Sequence, residues 1–460
     1  MALPRLLKRF TLFLTAITLI FNIYIYTYPS IHPKACSWKC HEESALSADE
    51  TNPLVSYFKD LLSSHKDKNK DDIRLMAFGD PQIKGIWPST PYMTRLDTFG
   101  NDYYLGHIFR MMYNRLRPSH VAVMGDLFSS QWIGDSEFFN RTVRFTKRLF
   151  NRDPSWLYDI KEKHHNDQGK YASDWVSWAD NMTAIREKGR PMDLGFGYEN
   201  VYNWTASDDY LFINISGNHD IGYSGDATYQ HVARYNELFG KDNYWIEYDA
   251  GTDRAWRLVV LNDLLLEGPA LQPELLDINW EFLYQLIERK FEGSTVLLTH
   301  VPFYKPAGLC YDGPEFRYYP DDYEREPYKA KLLRSQNHLS DSISNRVLNL
   351  IFDHNYPGII LTGHDHEGCE TFYSKNAEDG TWSASSTPSS DSLAIKEITV
   401  KSMMGQYHGN TGLVTGHFNE NTKQWEWHFS LCPFSIQHIW WFTKVVTIIT
   451  GFLWSLALFL

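Results

Sequence analysis

Apolar positions along the chain fall into short runs, and the stretches between the runs have helical spacing. Residues 73–78 (IRLMAF) have the pattern of a buried strand. The pattern returns at 121–124, 211–215, 258–261, 295–298 and 358–361. Between these, 104–117 (YLGHIFRMMYNRLR) has apolar residues on one helical face and stops before Pro118. Residues 275–291 and 340–354 also read as helices. Strand, helix and strand in series predict an α/β domain over 73–430. Two stretches break the rhythm. Residues 152–207, rich in Trp, Tyr, Asp and Lys, read as an insertion over the surface or the mouth of a site. Residues 302–338, rich in Tyr, Pro and acids (PDDYEREPY), read as a functional loop at the site. Residues 395–430 alternate as antiparallel strands do, and there is no internal repeat.

Both ends are apolar throughout. Residues 10–28 carry no charge and are long enough to span a bilayer. Arg5, Lys8 and Arg9 precede them, which places that end in the cytoplasm. A cleaved signal peptide is the alternative, but the exit is bulky and Tyr-rich, without a small-x-small site. A second stretch, 439–460, opens with Trp440, Trp441 and Lys444, residues suited to the membrane interface. Its alternative is a discarded GPI-attachment signal. Two spans would leave the middle of the chain on the lumenal side. Sequons at Asn140, Asn181, Asn203 and Asn214 agree, with Asn214 expected to be unmodified inside a strand. Among the five cysteines, Cys36 with Cys40, or Cys310 with Cys369, are candidate disulfides for an oxidising lumen, leaving Cys432 over.

Composition narrows the function. A net charge of −12 argues against nucleic acid as a partner, because such a surface needs clustered Lys and Arg. Hydrophobic residues at 43% allow a sizeable core.

The candidate chemistry lies where the strands end. The first is followed by Gly79-Asp80-Pro81-Gln82 and the second by Gly125-Asp126. The third gives Gly217-Asn218-His219-Asp220, and then come Thr299-His300 and Gly363-His364-Asp365-His366. Ligands of open α/β sheets gather at the carboxyl ends of strands. Carboxylate oxygens and imidazole nitrogens in one place suit Mn, Fe or Zn. A lone Gly-Asp is an ordinary turn, and a lone His an ordinary core residue; the signal is the ordered series.

At these residues the chain resembles the calcineurin-like metallophosphoesterases. The resemblance implies a four-layer α-β-β-α sandwich and two divalent metal ions, manganese being favoured here over zinc or iron. It implies that Asp126 bridges both ions, that Asp80 and His366 complete one site, and that Asn218, His300 and His364 complete the other. His219 would protonate the leaving oxygen, steadied by Asp220. Two departures stand out: Gln82 occupies a position where the family has His, and Phe128-Ser129-Ser130 stands where an acid is common. The GDPQ, GDLFSSQWI, GNHDIGY and GHDHEGCE stretches are similar to a fungal branch, the Ted-type and cell-division-control-type proteins of the endoplasmic reticulum membrane. That likeness implies a phosphodiesterase that removes ethanolamine phosphate from a mannose, the second, of the GPI glycan. GPI-anchored proteins would be its substrates and the membrane its location, with early-secretory cargo receptors as further partners. The acidic loop reads first as plain solvated surface; the alternative is that the substrate's ammonium group sits near Asp321, Asp322, Glu324 or Glu326, or in a cage of Tyr318, Tyr319 and Tyr323. Loss of catalysis at Gln82 would instead leave a cargo-binding or quality-control module; a phosphoesterase acting on the first mannose, on phospholipid head groups or on nucleotides is a third reading, and the Golgi an alternative location.

Overall fold

The computed structural model describes residues 2–32, 34–39, 72–197, 209–352, 354–389 and 393–459. Cys40 and the Asn203 sequon lie outside these.

Two mixed sheets are stacked face to face. The strands are β1 (Ile73–Phe78), β2 (His120–Val123), β3 (Leu211–Asn214), β4 (Tyr244–Tyr248), β5 (Trp256–Val260), β6 (Ser294–Leu298), β7 (Phe316–Tyr318), β8 (Leu333–Gln336), β9 (Gly358–Thr362), β10 (Cys369–Lys375), β11 (Trp382–Ser385), β12 (Ala394–Thr399), β13 (Thr411–Asn419) and β14 (Gln424–Cys432). The first sheet has the order β14-β13-β1-β2-β3 and the second β11-β10-β12-β9-β6-β5-β4. Alternation within each strand sorts the core into layers. Leu75, Ala77 and Ile213 of the first sheet meet Leu258, Val296 and Leu361 of the second between the sheets. Their neighbours face outward under helices: Met76, Phe78 and Val121 lie with Leu105 and Ile108, and Val259, Leu297 and Ile360 with Phe282 and Val347. The result is the four-layer α-β-β-α sandwich.

β1, β2 and β3 run parallel, as do β5, β6, β9 and β12. The loops carrying the candidate residues therefore leave the two sheets at one rim. β12 pairs in parallel with β9 and antiparallel with β10, so the alternation over 395–430 is a mixed edge and not a simple antiparallel run. The 302–338 loop contains its own hairpin, β7 with β8. The helix read as 104–117 begins earlier, at Tyr92–Leu116. Its first half exposes Tyr92, Met93, Leu96 and Phe99, which hides the amphipathic period from a reading that expects apolar residues to face inward.

Cys36 pairs with Cys432 and Cys310 with Cys369. The Cys36–Cys40 pairing, with Cys432 left over, is thus corrected. The first bridge joins the end of the N-terminal helix to the last strand, across the whole chain. Asn214 is buried in β3, as a strand sequon would be.

Two helices are long and apolar enough to cross a membrane, Arg5–Ile31 and Gln437–Phe459. They pack against each other through a polar seam. Thr18 and Thr450 hydroxyls are 2.8 Å apart, Asn22 donates to Thr447 at 2.9 Å, and Trp454 donates to Thr15 at 2.9 Å. Side-chain hydrogen bonds of this kind join helices where lipid offers no competing partner.

Candidate metal centre

Two backbone features bring the rim residues together. Gly125 has φ +93°, and a Cβ there would run into the His300 ring, so glycine is required both for the turn and for the imidazole beside it. Gly217 lies so close to the Asp126 backbone that a side chain would collide with it. The functional residues are themselves bent: Asp80, Gln82, Asp126 and His364 all have positive φ, between 41° and 72°. Asp and His tolerate this region and Gln does so less readily. Each such residue stores on the order of 1–3 kcal/mol of strain, a cost typical of functional sites.

The side chains converge. Ligand atoms of Asp126, His300 and His364 lie within 4.8 Å of one another, and so do those of Asp80, Asp126 and His366. Asp126 is common to both groups. Asn218 Oδ1 is 3.1 Å from His300 Nε2, and His300 Nε2 is 3.4 Å from Asp126 Oδ1. Each imidazole is turned by a partner on its far nitrogen. His300 Nδ1–H donates to the Met124 carbonyl at 2.7 Å, leaving the Nε2 lone pair toward the carboxylate. His364 Nε2–H donates to the Gln336 carbonyl at 3.0 Å, with the Tyr223 hydroxyl 3.2 Å away, leaving Nδ1 free. His366 Nδ1 shares a hydrogen bond with the Tyr407 hydroxyl at 3.2 Å.

The electrostatics fit a cation. Burial lowers the pKa of His300, of His366 and of His364, the last to about 3, so all three are neutral, the form that ligates metal. Burial, and then the charge of Asp126, push Asp80 well above the carboxylate range. Burial acts the same way on Asp126, but the polar surroundings of that carboxyl, the rings of His300, His219 and His364 and the His219 backbone N–H, outweigh it and leave its pKa lowered. The Asp80 Oδ2 atom is buried and has no hydrogen-bond partner. An orphaned buried acceptor grouped with Asp126 and His366, beside a second group of Asp126, His300 and His364, is what a pair of divalent ions would satisfy.

Two residues behave differently from expectation. Gln82 turns its amide nitrogen inward, donating to Asp126 Oδ2 at 3.1 Å and facing His366 Nε2 at 3.2 Å. Its NH2 group thus points at two ligand atoms of the first site. Asp220 was expected to steady the His219 ring. It is fully buried, and its carboxylate instead accepts from the backbone N–H groups of Gly217, Leu127 and Phe128, pinning two rim loops to each other. His219 is held by its own backbone N–H, which donates to Asp126 Oδ1 at 2.8 Å. Its ring is 37% exposed, with Nε2 3.7 Å from Asp126 Oδ2. Phe128, where the family often has an acid, packs edge-on against Phe138 in the core.

The acid- and Tyr-rich loop already holds an ammonium group. Lys329 Nζ pairs with Asp226 and Glu326, both at 3.1 Å, and lies 4.3 Å from the Trp132 ring and 5.7 Å from that of Tyr319. The Tyr319 hydroxyl donates to Asp226 at 2.8 Å. Of the residues suggested for a substrate's ammonium group, Glu326 and Tyr319 thus already face the chain's own lysine. Asp321 pairs with Lys331 on the surface.

Sequence reasoning passed over Tyr223, Tyr407, the Gln336 carbonyl and Asp263. Asp263 accepts from the Val301 N–H at 3.2 Å beside His300, and burial raises its pKa to about 7. Tyr223 closes the GNHDIGY stretch and was within reach of a motif reading. Tyr407 comes from a distant loop and left no local signal.

No family model matches the chain. It is 59% identical over 468 residues to Protein TED1 of Saccharomyces cerevisiae, covering 98% of this chain and 98% of that protein. It is 20% identical over 336 residues to Metallophosphoesterase 1 of Cricetulus griseus, covering 67% of this chain and 64% of that protein. A third relative, Cell division control protein 1 of Saccharomyces cerevisiae, is 26% identical over 191 residues, covering 41% of this chain and 33% of that protein. Identity that runs from end to end with Protein TED1, together with the rim its fold assembles, means that this phosphoesterase belongs to the metallophosphoesterase family, in the group of Protein TED1.

Proposed function

We propose that the chain is a phosphodiesterase that removes ethanolamine phosphate from the second mannose of the GPI glycan, in the lumen of the endoplasmic reticulum. The observation that carries this reading is the convergence of two acids, an amide and three neutral imidazoles on Asp126 at one sheet rim. Asp80, Asp126 and His366, with Gln82 beside them, would hold one divalent ion; Asp126, Asn218, His300 and His364 would hold the other. When bound, such ions supply Lewis acidity, lowering the pKa of the attacking water and offsetting phosphoryl charge. The chain's own residues do the rest. Asp126, fixed by the His219 N–H, positions both halves of the site. The partially exposed His219 ring stands at the rim, placed to donate a proton to the departing mannose oxygen as the P–O bond breaks. The two apolar helices would keep enzyme and lipid-linked substrate on one surface, raising their effective concentration.

Comparing GPI glycans by mass spectrometry in cells with and without the protein tests this reading. Cells lacking it should retain an extra ethanolamine phosphate, and an unchanged count removes the GPI assignment. One observation favours a second reading, a cargo-binding module of weakened catalysis: the Gln82 amide nitrogen directed at Asp126 and His366. Normal folding without bound metal would support it.

A further inference from the structure

The outer face of the Tyr92–Leu116 helix exposes large apolar side chains beside Thr94, Arg95 and Asp97, with the Arg148 guanidinium 5.3 Å from the Phe99 ring and 5.8 Å from that of Tyr103. Tyr92 is 77% exposed, Met93 71%, Phe99 45%, Leu96 38% and Tyr103 37%. Positions 92, 96, 99 and 103 repeat at the spacing of one helical face. Trp87, 44% exposed, sits in the loop that leads into this helix. Scattered exposed side chains need no explanation, but a continuous stripe marks an interaction surface.

The place of this stripe in the fold identifies what covers it. Along its length the helix follows the root of the N-terminal apolar helix. Arg115 bonds Ser30 at 2.6 Å, and the His107 ring meets the Ile25 carbonyl at 3.1 Å and the Tyr26 ring at 4.9 Å. Further toward its N-terminus, Gly100 lies against Trp441 and Asn101 bonds Gln437 at 3.3 Å, at the entry to the second apolar helix. Contacts thus run from residue 115 beside Ser30 to residue 100 beside Trp441. They follow the first apolar helix back from its C-terminal end toward its apolar body. The exposed half, 92–99, extends the same way by about 12 Å at 1.5 Å per residue. The stripe is continuous with the surface at which both apolar helices would enter lipid. Trp441 and Lys444, with Lys444 over the Tyr26 ring, supply the residues of a membrane interface there.

We infer that the first half of the Tyr92–Leu116 helix, with Trp87, rests in the lipid interface and holds the metal-centre rim toward the bilayer. This rests on the membrane-bound reading of the proposed function and deepens it. Trp87 is joined to Gln82 by a connection spanning at most about 18 Å. Gln82 lies at the metal centre itself. A rim held so close to the interface takes phosphodiesters displayed near the headgroups of a lipid-linked substrate, and would disfavour the same ester on a freely diffusing one.

The test uses the full chain in phosphatidylcholine nanodiscs, on a Cys40→Ser background. An environment-sensitive fluorophore is attached at Met93→Cys, at Leu96→Cys, or at Tyr356→Cys as a control at the opposite end of the sheets. All three sites are exposed in the structure, so labelling does not disturb the core. Nitroxide lipids should quench the 93 and 96 labels severalfold more than the 356 label. Quenching at 93 and 96 no greater than at 356 overturns the inference, and would leave the face to a protein partner. The readout is independent of catalysis: an unchanged GPI glycan with strong quenching would reject the substrate and keep the orientation.

Discussion

The molecule contains two clusters of acids built around a buried Asp beside aromatic or imidazole rings, and they differ in one respect. At the 302–338 loop, Asp226 and Glu326 are matched by Lys329, which fills the space between them and the Trp132 ring. At the sheet rim, the basic side chains beside Asp126 are the imidazoles of His219 and His300, and no Lys or Arg among the described residues pairs with Asp80 or Asp126. His300 is neutral through burial. A buried carboxylate without compensating charge is expensive. The loop meets that cost with its own chain, whereas the rim leaves it to an ion from solution. Acid content alone does not mark a binding site; acid content without an internal cation does.

The largest effect that sharpens this contrast is expected at Asp126, shared by both halves of the rim. Asp126→Ala should lower hydrolysis of a chromogenic phosphodiester by more than the ~10–100-fold that follows loss of an outer partner of a metal ligand. Activity equal to the parent would place the chemistry elsewhere. In the loop the expected loss is structural instead. Lys329→Met leaves Asp226 buried without its cation and should cost about 3 kcal/mol in denaturant unfolding, with the bound-metal count unchanged. A fall in metal content would show that the two clusters are coupled.

The pH dependence sets the candidate ligand imidazoles apart from one buried elsewhere. His120 is buried and its partners are hydroxyls, Ser119 at 2.9 Å and Tyr248 at 3.2 Å. Burial lowers its pKa to about 4. The folded state therefore resists a proton that the unfolded chain takes up near pH 6.5, so stability is full above that value and falls as pH drops toward 4. Between pH 7 and 5 this is worth ~2 kcal/mol, and His120→Gln should flatten the unfolding profile over that range. The smallest effect is expected at Gln82. Gln82→His replaces an amide by a stronger donor at a position of φ +41°, which His tolerates. Metal affinity, measured by competition with a chelator, should tighten by no more than about tenfold, ~1.4 kcal/mol. Weaker binding would mean that the Gln82 amide is itself the preferred ligand.

The same contrast explains what the sequence made legible. The rim could be read because each ligand follows a strand buried on both faces, and such strands are continuous apolar runs. β1 matches its run residue for residue, and Asp80, Asp126, Asn218, His300, His364 and His366 all leave the expected ends. The loop's composition was compatible with solvated surface or with a cation site, and could not say which cation would fill such a site; Lys329 is one of several nearby in sequence. Asp220 misled through its position. Adjacency to His219 suggested a partner for the ring, while the turn it sits in aims its carboxylate at three backbone N–H groups. Cys36–Cys432 and the Tyr407 contact to His366 join residues far apart in the chain, which no local pattern encodes. The early start of the Tyr92–Leu116 helix was obscured by apolar residues on its outer side.

An anomalous-difference map from crystals of the full chain grown with manganese tests the metal centre most directly. The account predicts two peaks flanking Asp126, one beside Asp80 and His366, the other beside Asn218, His300 and His364. A map with no density at the rim, in well-ordered crystals at saturating manganese, would contradict it.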